Sequence, residues 1–124
     1  MDSDFVDHHV EGLRAGEEDA FHALIEAPHA VLSALIARFH VEADPELRAS
    51  IVEVVWQHRQ SDTLPFLAQA LADSSEQVWK QALDGLVTIG GPGAVATVSA
   101  FKSACDPTDP RAEWLTEALE QLSA

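Results

Sequence analysis

Basic residues and thiols are scarce in this sequence. Seven Lys and Arg stand against 21 Asp and Glu, a formal net charge of −14. A surface this acidic repels nucleic acid and anionic lipid, which are polyanions, and attracts cations and basic proteins. The single cysteine, Cys105, excludes an intramolecular disulfide and a multi-thiolate zinc site. Beside an apolar helix it reads as a small core residue. No apolar run approaches the roughly 20 residues that span a bilayer. The opening stretch MDSDFVDHHVEG is acidic where a secretory signal needs a positive start and an apolar core. The chain is therefore expected to be soluble and cytoplasmic. Strand signals are nearly absent; even GLVTIGG, which could begin a strand, continues a helical period and stops at glycines.

What is present is helix, repeatedly. At 124 residues and 47% apolar composition, the chain is long enough for one domain with a real core. Phe5, Val6, His9, Val10 and Leu13 share one face of a first helix, and Ala20, Phe21, Leu24 and Ile25 mark a second that ends before Pro28. Val31, Leu32, Leu35, Ile36 and Phe39 mark a third. A fourth opens at Asp44-Pro45, an N-cap followed by a proline suited to the first helical position. Leu64, Phe66, Leu67, Ala70 and Leu71 line a fifth. A sixth runs through DSSEQVWKQALDGLVTIGG, with Asp73 and Glu76 predicted to form a capping box. Pro92 starts a seventh, and Asp109-Pro110 starts a last helix carrying Trp114, Leu115, Ala118, Leu119 and Leu122.

These helices recur. A shift of 31 positions lays Leu47 on Val78, Arg48 on Trp79, Ile51 on Ala82, Val52 on Leu83 and Val55 on Leu86. In the fourth and sixth helices the apolar residues form two adjacent stripes, wider than the single stripe that one amphipathic helix needs. Leu47, Ile51, Val54 and Val55 lie beside Val52 and Trp56; Val78, Ala82, Leu86 and Ile89 lie beside Trp79, Leu83 and Val87. Two stripes fit a helix that touches both its hairpin partner and the next repeat, and a period of this length with two helices per unit signals a helical solenoid.

The sixth helix resembles the HEAT repeat, especially the short bacterial HEAT-like form found in phycobilin lyases. Asp73, Val78, Ala82, Leu86, Ile89 and Gly90 match its pattern; Trp79 replaces the usual Arg, and Leu83 and Gly85 replace Ala. In the preceding repeat Leu47 and Arg48 match, while Ile51, Val52 and Trp56 are bulkier than usual. The resemblance covers Asp44 to Cys105 well and both ends thinly. It implies an all-α fold, a right-handed α-solenoid of about 3–4 stacked antiparallel helix pairs. The expected single domain, 1–124, has a cap helix at 3–14, repeats near 16–42, 44–72 and 73–105, and a cap helix at 109–123.

The chemistry is sparse. His22, Glu26 and His29 have ligand-like spacing, but Pro28 breaks the shared face. Some HEAT-like enzymes bind iron through adjacent His-Glu pairs, and no such dipeptide occurs here, so no metal, cofactor or catalytic residue is assigned. His40 and His58 are placed at helix ends, where a protonated ring suits the dipole. Trp114 is assigned to the core. Trp56 and Trp79, with Arg59, are candidate partner anchors because interface energy concentrates in Trp and Arg. Glu53, Asp62, Asp73, Glu76 and Asp84 are candidate acidic contacts, chosen by expected exposure. The resulting expectation is a non-enzymatic protein-binding module, most concretely a small acidic bacterial immunity or antitoxin-like protein that neutralises a basic partner protein, without nucleic acid or membrane partners, as a monomer or weak dimer. A structural or regulatory adaptor is the alternative; a lyase-like or metal-dependent accessory enzyme using Cys105 is a second.

Overall fold

The structure is a computed structural model and describes residues 2–123; Met1 and Ala124, the ends of the expected 1–124 domain, lie outside the described residues. Those residues form eight α-helices and no strand: α1 (Asp2–Arg14), α2 (Glu18–Glu26), α3 (Leu32–Val41), α4 (Pro45–Gln57), α5 (Leu64–Leu71), α6 (Glu76–Ile89), α7 (Gly91–Ala104) and α8 (Arg111–Ser123). Short 3₁₀ turns, His29–Val31 and Ser61–Thr63, lead into α3 and α5. One row stacks α2 on α4, α4 on α6 and α6 on α8, while α5 packs on α7 in a second row and α1 closes against α2, α3 and α4. The two rows are stitched by α3 against α4, α5 against α6 and α7 against α8. This is a helical-repeat stack built along the row α2, α4, α6 and α8.

Both predicted stripes are largely buried, with Val87 and Ile89 of α6 only partly so. On α4, Ile51, Val52, Val54 and Val55 are fully enclosed, and on α6 so are Val78, Ala82 and Leu86. Each buried aliphatic side chain contributes on the order of 1.5–3 kcal/mol, so these two central helices hold the largest share of the core. Their approach is set by a glycine. A Cβ added at Gly85 would lie 2.5 Å from Cγ of Trp56 and 2.7 Å from its Cβ and Cδ1. The bulky Trp56 and the missing methyl at 85 are thus one compensated pair across the interface between α4 and α6, and the Trp56 Nε1–H closes it by donating to Gln81 Oε1 at 2.7 Å.

The junctions between repeats are held by arginines. Arg48 on α4 donates to the carbonyls of Glu42 and Ala43 and reaches Asp73 Oδ1 in the next junction at 3.1 Å. Residue 79 would carry the equivalent arginine, but it is Trp79. Its place is taken from the following helix: Arg111 donates to the carbonyls of Leu71 and Asp73 at 2.9 and 3.1 Å. Asp73 lies 31 residues beyond Glu42, so the two arginines grip corresponding carbonyls. The Glu42 carboxylate, nearly buried, accepts from Arg14, Arg38 and the Asp44 amide and ties α1 and α3 to the start of α4. Burial pushes this carboxyl up; the Asp44 amide and the guanidiniums of Arg38 and Arg14 outweigh it and hold it below the usual carboxylate range.

Three expectations need correction. Asp73 and Glu76 form no capping box: Ser75 is the N-cap, without a side-chain cap bond, and Asp73 accepts from the Ser75 amide and from Arg48. Glu76 instead pairs forward with Lys80 on the next turn. Asp44 and Asp109 do accept the amide two residues on, at Glu46 and Arg111. Trp114 is not core but 44% exposed. His58 does stand at a helix end, as the C-cap of α4, but its ring is buried and tied into a bonded histidine pair described below rather than left to the helix dipole.

Alanine normally stabilises a helix interior by about 1 kcal/mol over glycine. Gly85→Ala is expected to do the reverse, lowering stability by about 1–3 kcal/mol through overpacking against Trp56, measured by urea unfolding. Glu42→Gln is expected to cost about 1–2 kcal/mol at pH 7. Because the native carboxyl is held low, its stabilisation is full above the unfolded carboxylate pKa and disappears as pH falls through the native one. The gap between wild type and variant therefore narrows on acidification.

Candidate functional site

Five of the seven basic residues are in ion pairs: Arg14 and Arg38 with the acidic groups of α1 and Glu42, Arg48 with Asp73, Lys80 with Glu76 and Arg111 with Asp109. Four of them are the arginines that fasten α1 and the repeat junctions. The scarce positive charge is thereby committed to architecture, and the carboxylates on the helix faces are left without it.

The consequence is sharpest across α4, α6 and α8. Glu53 and Asp84 lie 31 residues apart, at equivalent positions on the stacked α4 and α6. Neither has an ion-pair partner among the described residues. Burial pushes the Glu53 carboxyl above its ordinary range and the nearby Asp84 charge adds to it; burial alone does the same to Asp84. Next to Asp84, a shallow cleft between α6 and α8 brings in Glu117 and the exposed ring of Trp114. Trp114 packs edge-on against Trp79, with ring centroids 6.1 Å apart, and Lys80 Nζ sits 4.2 Å over the Trp114 ring. The face thus combines one half-buried carboxylate, Glu53, and the exposed carboxylates of Asp84 and Glu117 with one exposed aromatic ring, the combination that recognises cationic side chains by charge and by the ring quadrupole.

The structure disperses the other predicted residues. Trp56 and Trp79 are 9% and 5% exposed, so neither offers its ring to a partner; their bulk fills the joints between α4, α6 and α8. The exposed ring one helix further along, Trp114, is the one the sequence assigned to the core. Arg59 is exposed in the turn after α4, with a left-handed φ of 54°, and is in no ion pair among the described residues. Asp73 is occupied by Arg48 and Ser75, and Glu76 by Lys80. Asp62 lines a separate cavity with His29 and Gln60. Glu53 and Asp84 are the two candidates that the fold brings together. Glu117 was missed because the loop before α8 breaks the register.

Two further groups bear on chemistry. His58 donates Nε2–H to the Leu24 carbonyl at 3.0 Å, so its Nδ1 accepts from His29 Nδ1–H at 2.8 Å, and Gln60 donates to His29 Nε2 at 3.2 Å. This run of hydrogen bonds ties the turn after α2 to the end of α4. His22 and Glu26 take no part: Ala27 and Pro28 break α2, and His29 turns away to His58. Among the described residues no group of three or more His, Cys, Asp or Glu side chains is placed to hold a metal ion. Cys105 is partly buried; burial and the Asp109 carboxylate push its thiol up, away from the thiolate that nucleophilic or adduct-forming chemistry requires. No single helix among the described residues is long and apolar enough to cross a membrane.

A family model described as HEAT repeats matches residues 32–120. No curated protein and no solved structure matches the chain.

Raised carboxyls make a folded protein bind protons more tightly than its unfolded chain, so stability falls as pH rises through their range. Glu53→Gln and Asp84→Asn, each removing one of the crowded charges, are therefore expected to raise the melting temperature at pH 7. After solvent screening the gain is on the order of 0.3 kcal/mol, about 1–2 °C. It is expected to vanish near pH 3, where both native carboxyls are protonated, as read by calorimetry.

Proposed function

The chain belongs to the HEAT-repeat family, and from that membership we propose that it is a non-enzymatic protein-binding module that holds a basic partner on the face of α4, α6 and α8. HEAT repeats commonly serve protein interaction, and stacked helical pairs present extended surfaces suited to it. The observation that carries the basic partner is the pair Glu53 and Asp84, stacked on adjacent helices without an ion-pair partner among the described residues, on a chain of net charge −14 in which four of the five arginines are committed to the joints. Leaving two like charges partly desolvated costs stability, and a partner's cation would recover that cost on binding. Nucleic acid is disfavoured as a partner by the same charge.

The most concrete form of this reading is a cytoplasmic bacterial immunity or antitoxin-like protein. An acidic face of this kind imitates a polyanion and blocks a basic cleft, that of a nuclease toxin for instance, with association accelerated by long-range attraction. The chain would act as one domain, as a monomer or weak dimer, with the repeat units near 16–42, 44–72 and 73–105.

The test is affinity capture by the purified chain from cells of its own source, followed by binding measurements with the captured protein. A basic protein is expected to bind one to one. Its Kd is expected to weaken by about tenfold or more between about 50 and about 500 mM salt, as screening shortens the reach of the charges. Binding indifferent to salt would point to the adaptor reading, in which shape rather than charge selects the partner, and would overturn this one.

A further inference from the structure

The cleft between α6 and α8 is small, with a volume of about 70 Å³. Pockets for drug-sized molecules run to roughly 300–1,000 Å³, so this one has room for the end of a single side chain. Leu83, Val87 and Ala118 supply apolar wall, Asp84 and Glu117 supply two carboxylates from facing helices, and Trp114 supplies an indole. An aliphatic stem ending in a cation matches each of these parts: the stem lies on apolar surface while the head stays with the carboxylates.

The molecule already shows that this ring attracts a cation. Lys80 Nζ stands 4.2 Å from the Trp114 ring centroid. Lys80 is itself paired with Glu76, while Asp84 and Glu117 have no ion-pair partner among the described residues. The carboxylates belong to two different helices, so one head group that meets both would bridge α6 and α8. A planar guanidinium, with five N–H donors in a fixed fork, can address two separated carboxylates and stack on an indole at once. A lysine ammonium is a compact, strongly hydrated point charge and does so less well.

We propose that this cleft receives one arginine side chain of the partner, its guanidinium between Asp84 and Glu117 and against the Trp114 ring. This rests on the reading of the chain as a binder of a basic protein, and it names where on the acidic face that partner is anchored.

The experiment uses the full chain, ¹⁵N-labelled, titrated with the peptide acetyl-Gly-Arg-Gly-amide while the three tryptophan indole resonances are followed; Trp114→Phe assigns the relevant one. The expected result is a saturable shift of the Trp114 indole in the millimolar range. It should be weaker by fivefold or more with the uncharged citrulline peptide and by about threefold with the lysine peptide. Asp84→Asn and Glu117→Gln should each weaken it threefold or more, and their unchanged amide spectra elsewhere would show that the fold persists. No saturable shift, an equal response to citrulline or lysine, or an unchanged response in the Asp84→Asn/Glu117→Gln double variant would overturn the proposal. The outcome separates from that of the broader reading. A basic partner captured equally well by wild type and by Trp114→Ala/Asp84→Asn removes the arginine seat and leaves the binder standing. A peptide response without any basic protein captured leaves the cleft standing and removes the binder.

Discussion

The closest joint in the molecule is the one between α4 and α6, where Trp56 lies over Gly85 with no space for a methyl group. Much else follows from it. These helices bury the widest apolar surface, and their neighbours on both sides pack against them. The tight approach also brings the outward faces of the two helices together, so that Glu53 feels the charge of Asp84. Packing in the core and crowding of charge on the surface are thus two results of one interhelical distance. Close-packed interiors transmit such constraints because they have few voids to absorb a change.

The acidity of the chain acquires structure from its arginines. Arg48 and Arg111 satisfy carbonyls at successive junctions, and Arg14 and Arg38 converge on Glu42. Hydrogen bonds from charged donors are stronger than neutral ones, which suits them to places where a helix ends and the next begins. The same use removes them from the open face of α4, α6 and α8. A chain with few basic residues therefore becomes uneven: four of its seven cations hold the seams, and Glu53, Asp84 and Glu117 have no ion-pair partner among the described residues. The clamp at Arg111 also explains how the repeat tolerates Trp79 at its usual arginine position, since the guanidinium arrives from the next helix and lies 5.9 Å from the Trp79 ring.

Most of the helical stack was legible because its signals are local or periodic: the Asp-Pro start of α4, the glycines after α6, the double apolar stripes and the 31-residue register. The substitutions Trp56 and Gly85 were each visible against the repeat pattern, yet their pairing was not, because periodicity places residues on faces without giving the distance between faces. The capping box failed for a related reason. Spacing permits Asp73 and Glu76 to bond reciprocally, but Arg48 and Lys80 offer full charges to the same groups. Of the site, the sequence identified Glu53 and Asp84 and missed Trp114 and Glu117. The loop DPTDP shifts α8 out of register, so the burial of its residues had to be guessed from hydrophobicity, and a large indole was assigned inward. The bond between His29 and His58 joins side chains 29 positions apart on elements that no motif links.

The central claim is that the row of helices α4, α6 and α8, and no other face, meets the partner. Amide hydrogen exchange on the captured complex tests it most directly. Protection on binding is predicted in peptides covering α4, α6 and α8, centred on Asp84 and Trp114, with α3, α5 and α7 unchanged. Protection confined to α3, α5 and α7 would contradict the account.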